Sequence, residues 1–167
     1  MELIEPSVKF KNSFIEALKE FQAEGRGTDL DVSRLEENFE GFLAQLEDEK
    51  NGVNLAQGYV PASTYWLIDG NEYIGKVSIR HALNDVLIQM GGHVGYEIRP
   101  SRRMKGYGSR ALEYSFPLLK KLEISKALLT CSDDNIGSWK IIEKNGGILE
   151  NKIVFNNVLK RRYWIQI

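Results

Sequence analysis

Arg99, Arg102, Arg103, Lys105 and Arg110 fall in a stretch, residues 99–110, that contains no acid, and Gly106 and Gly108 lie two apart within it. The string RPSRRMKGYGSRAL follows an apolar run, HVGYEIRP, and leads into residues with helical spacing. Strand, basic glycine loop and helix in that order form an anion site. The first amides of a helix lack intrahelical partners, the helix dipole is positive there, and glycine admits a ligand close to the backbone. The chemistry implied is phosphate binding.

Two classes of phosphate-bearing molecule fit such a loop. Gly106-x-Gly108-x-x-Ala111 matches the dinucleotide fingerprint, with Asp133 and Asp134 about one helix further on. Against that class, PSRRMK separates the glycines from the strand they should follow at once. The unit also comes after a run of hairpins rather than within an alternating βαβ series. Coenzyme A is the second class.

The elements that must position this loop are legible along the chain. Residues 1–5 read as a short strand ended by Pro6. From Ser7, Phe10, Phe14, Leu18 and Phe21 recur at helical spacing, and Gly25 and Gly27 stop that helix. A second helix is expected over about 32–50, with Leu35, Phe39, Phe42, Leu43 and Leu46 on one face. STYWLID (63–69) turns at Gly70-Asn71 into EYIGKVSIRHAL (72–83), a hairpin signal. NDVLIQMGG reads as a connection to HVGYEIRP (93–100), which Pro100 ends. The helix after the glycine loop should reach about Leu122, with a kink or break at Pro117. KALLTCS (126–132) reads as a buried strand. DDNIGSWKIIEKNGG is a short helix capped by Asp134 or Asn135 and stopped at Asn145-Gly146. ILENKIVF and LKRRYWIQI make a last hairpin about Asn156-Asn157. The order β-α-α-β-β-β-α-β-α-β-β describes one α/β (α+β) domain over 1–167, its sheet mixed and mostly antiparallel.

Bulk properties narrow the function. The net charge of −1 gives no reason to expect a nucleic acid as partner. No apolar run reaches membrane-spanning length, and MELIEPSVKF does not have the pattern of a secretion signal. Cys131 is the one cysteine, so no internal disulfide forms and a reducing, cytoplasmic setting is expected. No metal is called for. Residues 29–50 hold eight acids against two basic residues; such runs are usually solvated faces, and a cationic amine would also be drawn there.

Arg103-x-x-Gly106-x-Gly108 resembles the Q/R-x-x-G-x-G/A pyrophosphate loop of the GNAT superfamily of acyl-CoA-dependent N-acetyltransferases. HVGYEIRP resembles that family's fourth strand, and DDNIGSWKIIEKNGG its Asn-x-x-Ser helix with the E-K-x-G ending. The likeness is strong over residues 63–147, and the element order agrees throughout. It implies a GNAT-type fold and acetyl-CoA as co-substrate. Backbone amides of Arg103, Met104, Lys105, Gly106, Tyr107, Gly108 and Ser109 would cradle the pyrophosphate, and the basic side chains would neutralise its remaining charge. The fourth and fifth strands would splay around the pantetheine arm, with Ile98 and its neighbours pairing with it and Asn135 and Ser138 meeting it from the helix.

The resemblance further implies direct attack of an amine, from a small molecule or a protein, on the thioester carbonyl. Some relatives carry a glutamate base where Gly92 stands, which leaves His93 and Glu97, then His81, as candidates. Alternation along the strand puts His93 and Glu97 on one face unless a bulge intervenes. Relatives commonly place a tyrosine acid where Ile142 stands; a thiol is a good leaving group, so water could take that role. The acceptor would be met by variable parts, among them Tyr59 in GYVP. A homodimer is compatible with this reading. A non-catalytic acyl-CoA-binding module is the alternative, with a dinucleotide-binding oxidoreductase behind it.

Overall fold

Alternation along one strand organises the molecule. In β2 (Ala62–Asp69), Trp66 and Ile68 enter one apolar cluster while Leu67, between them, enters another. A strand apolar on both faces must be covered on both. The computed structural model, which describes residues 1–167, shows how.

β2 pairs antiparallel with β1 (Glu2–Ile4) and β3 (Glu72–Arg80), and β3 pairs with β4 (Val94–Ile98), giving a sheet of order β1-β2-β3-β4. A second sheet, of order β5-β7-β6, is built from β5 (Lys126–Ser132), β6 (Ile148–Phe155) and β7 (Val158–Gln166), again antiparallel. Asn156 and Asn157 both take positive φ (50° and 60°), the conformation of a type I′ hairpin turn.

One face of the first sheet is covered by α1 (Lys11–Ala23), α2 (Val32–Glu37) and α3 (Phe39–Asn51). Phe14 stacks on Trp66, centroids 4.9 Å apart, and meets Tyr73 edge-on at 5.2 Å. On the other face α5 (Tyr107–Lys121) seats Ala111, Leu112 and Leu119 against Leu67, Val77 and Ile79. α6 (Ile136–Lys144) packs beside it through the fully buried Ile142.

The expected elements form, with three differences. The helix expected over 32–50 is two helices. Asn38 leaves helical geometry (φ −138°, ψ 72°) and its side chain accepts the Gly41 amide at 2.9 Å, capping α3. Residues Asp85–Gln89, read as connection, form a short helix, α4, capped by Asn84. Pro117 does not break α5. Its missing N–H forgoes the bond to the Glu113 carbonyl on an exposed side of the helix. No helix is long and apolar enough to cross a membrane.

Candidate functional site

β4 ends at Ile98, a single 3-10 turn covers Pro100–Arg102, and α5 starts at Tyr107. Met104 (φ 61°) and Gly106 (φ 83°) turn the chain into the helix. Gly106 occupies the N-cap and no side chain caps the helix, so the amides of Tyr107, Gly108 and Ser109 are free to hold an anion. A Cβ on Gly106 would meet nothing within 4 Å; one on Gly108 would sit 2.7 Å from the Ile141 side chain. Gly106 therefore serves the backbone turn, and Gly108 lets α5 approach α6.

Arg99, Arg102 and Arg103 are each engaged by acids, although Arg102 and Arg103 also border the groove. Arg103 sets Nη1 and Nη2 on the two oxygens of Glu24, at 2.9 and 2.7 Å, and its Nε on the Ile98 carbonyl at 3.2 Å. Arg102 pairs with Glu72 at 2.8 Å. Arg99, nearly buried, holds Glu20 at 2.8 Å and Glu72 at 3.0 Å. The acids of Arg99, Arg102 and Arg103 sit at α1 and the start of β3, and the arginines staple the loop to them. Lys105 has no acidic partner, and neither do Lys140 and Lys144 on α6, which line the site. The two α6 lysines escaped sequence reasoning; their i,i+4 spacing put them on one helix face, but only the packing shows which.

The loop opens into a groove of about 460 Å³ lined by Glu97, Ile98, Arg103, Met104, Gly106, Tyr107, Gly108, Ser109, Asn135 and Ser138, with Tyr96. Its floor is an unpaired strand edge. β4 pairs with β3 without a register shift, and the Arg99 amide bonds the Ile74 carbonyl. Antiparallel alternation then turns the peptide groups of Val94, Tyr96 and Ile98 away from β3. On that side β4 and β5 part, joined only near Gly92 and Leu129.

Across the groove, Asn135 caps α6 by accepting the Ser138 amide at 3.0 Å. The Tyr96 hydroxyl lies 3.1 Å from the Ser138 hydroxyl and donates to its carbonyl at 3.2 Å. Burial raises the Tyr96 phenol to about 12, against the opposing pull of the Ser138 hydrogen bond. Tyr96 is a site residue that sequence reasoning missed. Alternation from Ile98 signals it, since both residues share a face. Ile142, at the position of the tyrosine acid, is sealed in the core and has no proton to give.

The other candidates fall elsewhere. His93 does not line the groove. Its backbone amide bonds the Leu128 carbonyl at 2.7 Å and its Nδ1 accepts the Leu128 amide at 2.9 Å. Burial, then the Arg80 charge, lowers its pKa. The neutral ring thus carries its proton on Nε2 and has no lone pair free for an amine. Glu97 does line the groove, held by Arg26 at 2.7 Å and Lys76 at 3.0 Å, so the structure does not bring His93 and Glu97 together. His81 bonds Ser63 through Nε2 at 2.8 Å, away from the groove. Tyr59 is 74% exposed on its loop and does not line the groove either.

Solved structures of the same shape were found. They include a RimL ribosomal L7/L12 α-N-protein acetyltransferase in complex with coenzyme A (18% identity, TM-score 0.68, 99% of this chain and 93% of that one). The microcin C7 self-immunity acetyltransferase MccE, in complex with acetyl-CoA and AMP, matches at 15% identity and TM-score 0.69, over 99% and 91%. RimJ of Mycobacterium smegmatis, in complex with CoA-disulfide, matches at 13% and 0.72, over 98% and 80%. At such identities these likenesses establish the fold. No curated protein matches in sequence. The family model of the acetyltransferase (GNAT) domain matches residues 16–148, four-fifths of the sequence. With the antiparallel sheets, the uncapped glycine loop and the parted strands, that match decides the matter: the chain belongs to the GNAT family of acetyl-CoA-dependent N-acetyltransferases.

Proposed function

We propose that this protein transfers the acetyl group of acetyl-CoA to a primary amine by direct attack in a ternary complex. The observation that carries the proposal is the shared groove: free helix amides at one end, an unpaired strand edge along the floor and a hydroxyl pair opposite. The amides of Tyr107, Gly108 and Ser109, with the loop before them, would hold the pyrophosphate, and Lys105, Lys140 and Lys144 would supply the countercharge. Peptide groups of Tyr96 and Ile98 suit a chain of amides such as pantetheine. A β4 amide directed into the groove is placed to hold the developing oxyanion, and Asn135 keeps α6 at the right height.

The hydroxyl pair of Tyr96 and Ser138 would protonate the departing thiolate, the task relatives assign to the position of Ile142. With a phenol near 12 the pair stays protonated at working pH and donates while the sulfur gains charge. Glu97 is the one carboxylate lining the groove, whereas His93 braces β4 against β5. The balance is a C–N bond formed, a C–S bond broken, one proton gained by sulfur and one lost by the amine.

The non-catalytic reading keeps one observation in its favour, the apolar side chain of Ile142 where an acid is usual. A thermal melt with acetyl-CoA, CoA and NAD, followed by thiol release over an amine panel, separates the readings. Ligand at 100 times Kd should add about 2.7 kcal/mol, a rise of roughly 5 to 10 °C for a chain of this length. A rise with acetyl-CoA and release of CoA thiol supports the transferase. A rise without turnover over the whole panel supports the binding module, and a rise with NAD alone refutes both.

A further inference from the structure

Glu97 borders two spaces at once. One is the groove; the other is a cleft of about 60 Å³ under residues 27–30, walled by Phe14, Leu18, Phe21, Leu30 and Tyr73. The two oxygens of Glu97 each hold a cation, Lys76 on Oε1 and Arg26 on Oε2. The two cations differ in how they are held. Lys76 rises from the middle of β3, directly opposite Glu97 on the sheet. Arg26 comes from the loop between α1 and α2, its side chain half exposed and lying over the Phe21 ring at 5.3 Å. Gly25 and Gly27, both at positive φ, flank it, and no other ion pair or side-chain hydrogen bond fixes its guanidinium.

The geometry points to Arg26 as a stand-in for the acceptor: the substrate is a primary ammonium on an unbranched alkyl stem, and it replaces Arg26 on Oε2 of Glu97. The inference rests on the transferase reading and names its substrate class. The Arg26 guanidinium marks a place beside the groove where a cation is already stable. The apolar cleft next to it has the volume of about two waters, enough for a few methylenes and too small for a folded-back polar group. Asp29 and Lys76 line the cleft beside Glu97, but its Phe14, Leu18, Phe21 and Leu30 walls suit a run of methylenes better than the first peptide group behind an α-amine. The bound ammonium gives up a proton that ends in solvent, and its nitrogen then attacks the thioester carbon from the Glu97 side.

The test is steady-state turnover at saturating acetyl-CoA, with three amines: n-butylamine, an internal-lysine peptide with a blocked N-terminus, and a lysine-free peptide with a free N-terminus. Wild type should acetylate at least one of the first two and leave the third. Activity on butylamine alone identifies a free alkylamine as the source of the ammonium, and activity on the lysine peptide a protein side chain. Arg26→Ala removes the competitor, and KM for the alkyl ammonium should fall about two- to fivefold, the scale of an exposed ion pair. Glu97→Gln should raise that KM at least tenfold and abolish the gain from Arg26→Ala in the double variant. Turnover of the free N-terminus alone, or a KM that rises in Arg26→Ala, overturns the inference. A wild-type melt unmoved by acetyl-CoA marks a different failure, that of the transferase reading itself.

Discussion

Arg103 and Glu24 face each other as fork to fork, both terminal guanidinium nitrogens on both carboxylate oxygens. Because Glu24 follows the last turn of α1 and Arg103 opens the glycine loop, the pair ties the end of α1 to the loop that borders the groove. The same holds of Arg99 with Glu20. Arg99, Arg102 and Arg103 thus fasten the loop to α1 and β3, and the basic groups beside it that have no acidic partner are Lys105, Lys140 and Lys144.

Lys144→Ala and Lys140→Ala should each weaken acetyl-CoA binding about tenfold, the value of one charge-assisted contact to phosphate. Arg103→Ala should change affinity less, and lower Tm by no more than about 2 to 4 °C, since its pair is more than a third exposed and worth about 1 kcal/mol at most. Calorimetric titration of the three variants ranks them. An Arg103 variant that loses more affinity than either lysine variant would mean that Arg103 leaves Glu24 for the phosphate.

The two loop glycines should fail differently. Gly106→Ala puts a Cβ in open space at φ 83° and should cost about 1 kcal/mol through backbone strain. Gly108→Val presses on the Cδ1 end of Ile141, which must turn aside, and narrows the groove beside Tyr96 and Ile98, costing about 1 to 3 kcal/mol and more than tenfold in affinity. Urea melts and acetyl-CoA titrations on both measure this. Equal stability of Gly106→Ala and wild type would contradict the account.

The fold was largely readable because its signals are local. The glycine and asparagine pairs, Gly70-Asn71 and Asn156-Asn157, name their hairpins, and the apolar spacing of Phe10, Phe14, Leu18 and Phe21 names α1. Of the groove's lining, the glycine loop, Glu97, Ile98, Asn135 and Ser138 were legible as local motifs, whereas Tyr96, Lys140 and Lys144 were not. Side-chain roles depend on partners distant in sequence. Nothing near Arg103 announces Glu24, 79 residues away, and nothing near His93 announces the Leu128 amide that takes its Nδ1 lone pair. The split at Asn38 lay in plain view as an Asn-x-x-Gly cap, overridden by the longer apolar period about it.

His93 should appear in stability rather than in the pH dependence of turnover. Its folded pKa lies below the unfolded value of about 6.5, so the unfolded chain binds more protons and stability rises with pH across that interval. The contribution is present above the unfolded pKa and is lost as pH falls through it toward the folded one. Melts between pH 7.5 and 5 should show Tm falling on the acid side, and less so in His93→Asn, whose amide oxygen can still accept the Leu128 amide. His81, also lowered by burial, adds in the same direction, so the comparison is best made against His81→Asn. If His93→Asn instead removes the acid limb of the kcat profile while its melt is unchanged, His93 works as a base.

Tyr96 and Ser138 should act as one unit. Their hydroxyls are 3.1 Å apart and burial raises the Tyr96 phenol to about 12, so its proton is retained well above neutral pH. Tyr96→Phe removes one donor but leaves the ring and the packing of β4 in place, and Ser138→Ala does the same for the helix side. Each should lower kcat by about ten- to a hundredfold if the pair feeds a proton to the thiolate. The double variant should be little worse than either single one, because a relay broken once is already broken. The control is an acyl donor with a less basic leaving thiol: its turnover should be nearly indifferent to both substitutions, since that thiolate departs without a proton. Should kcat survive both changes with acetyl-CoA itself, water protonates the sulfur and the hydroxyl pair only joins β4 to α6. A calorimetric melt decides that structural role by whether the two losses of stability add.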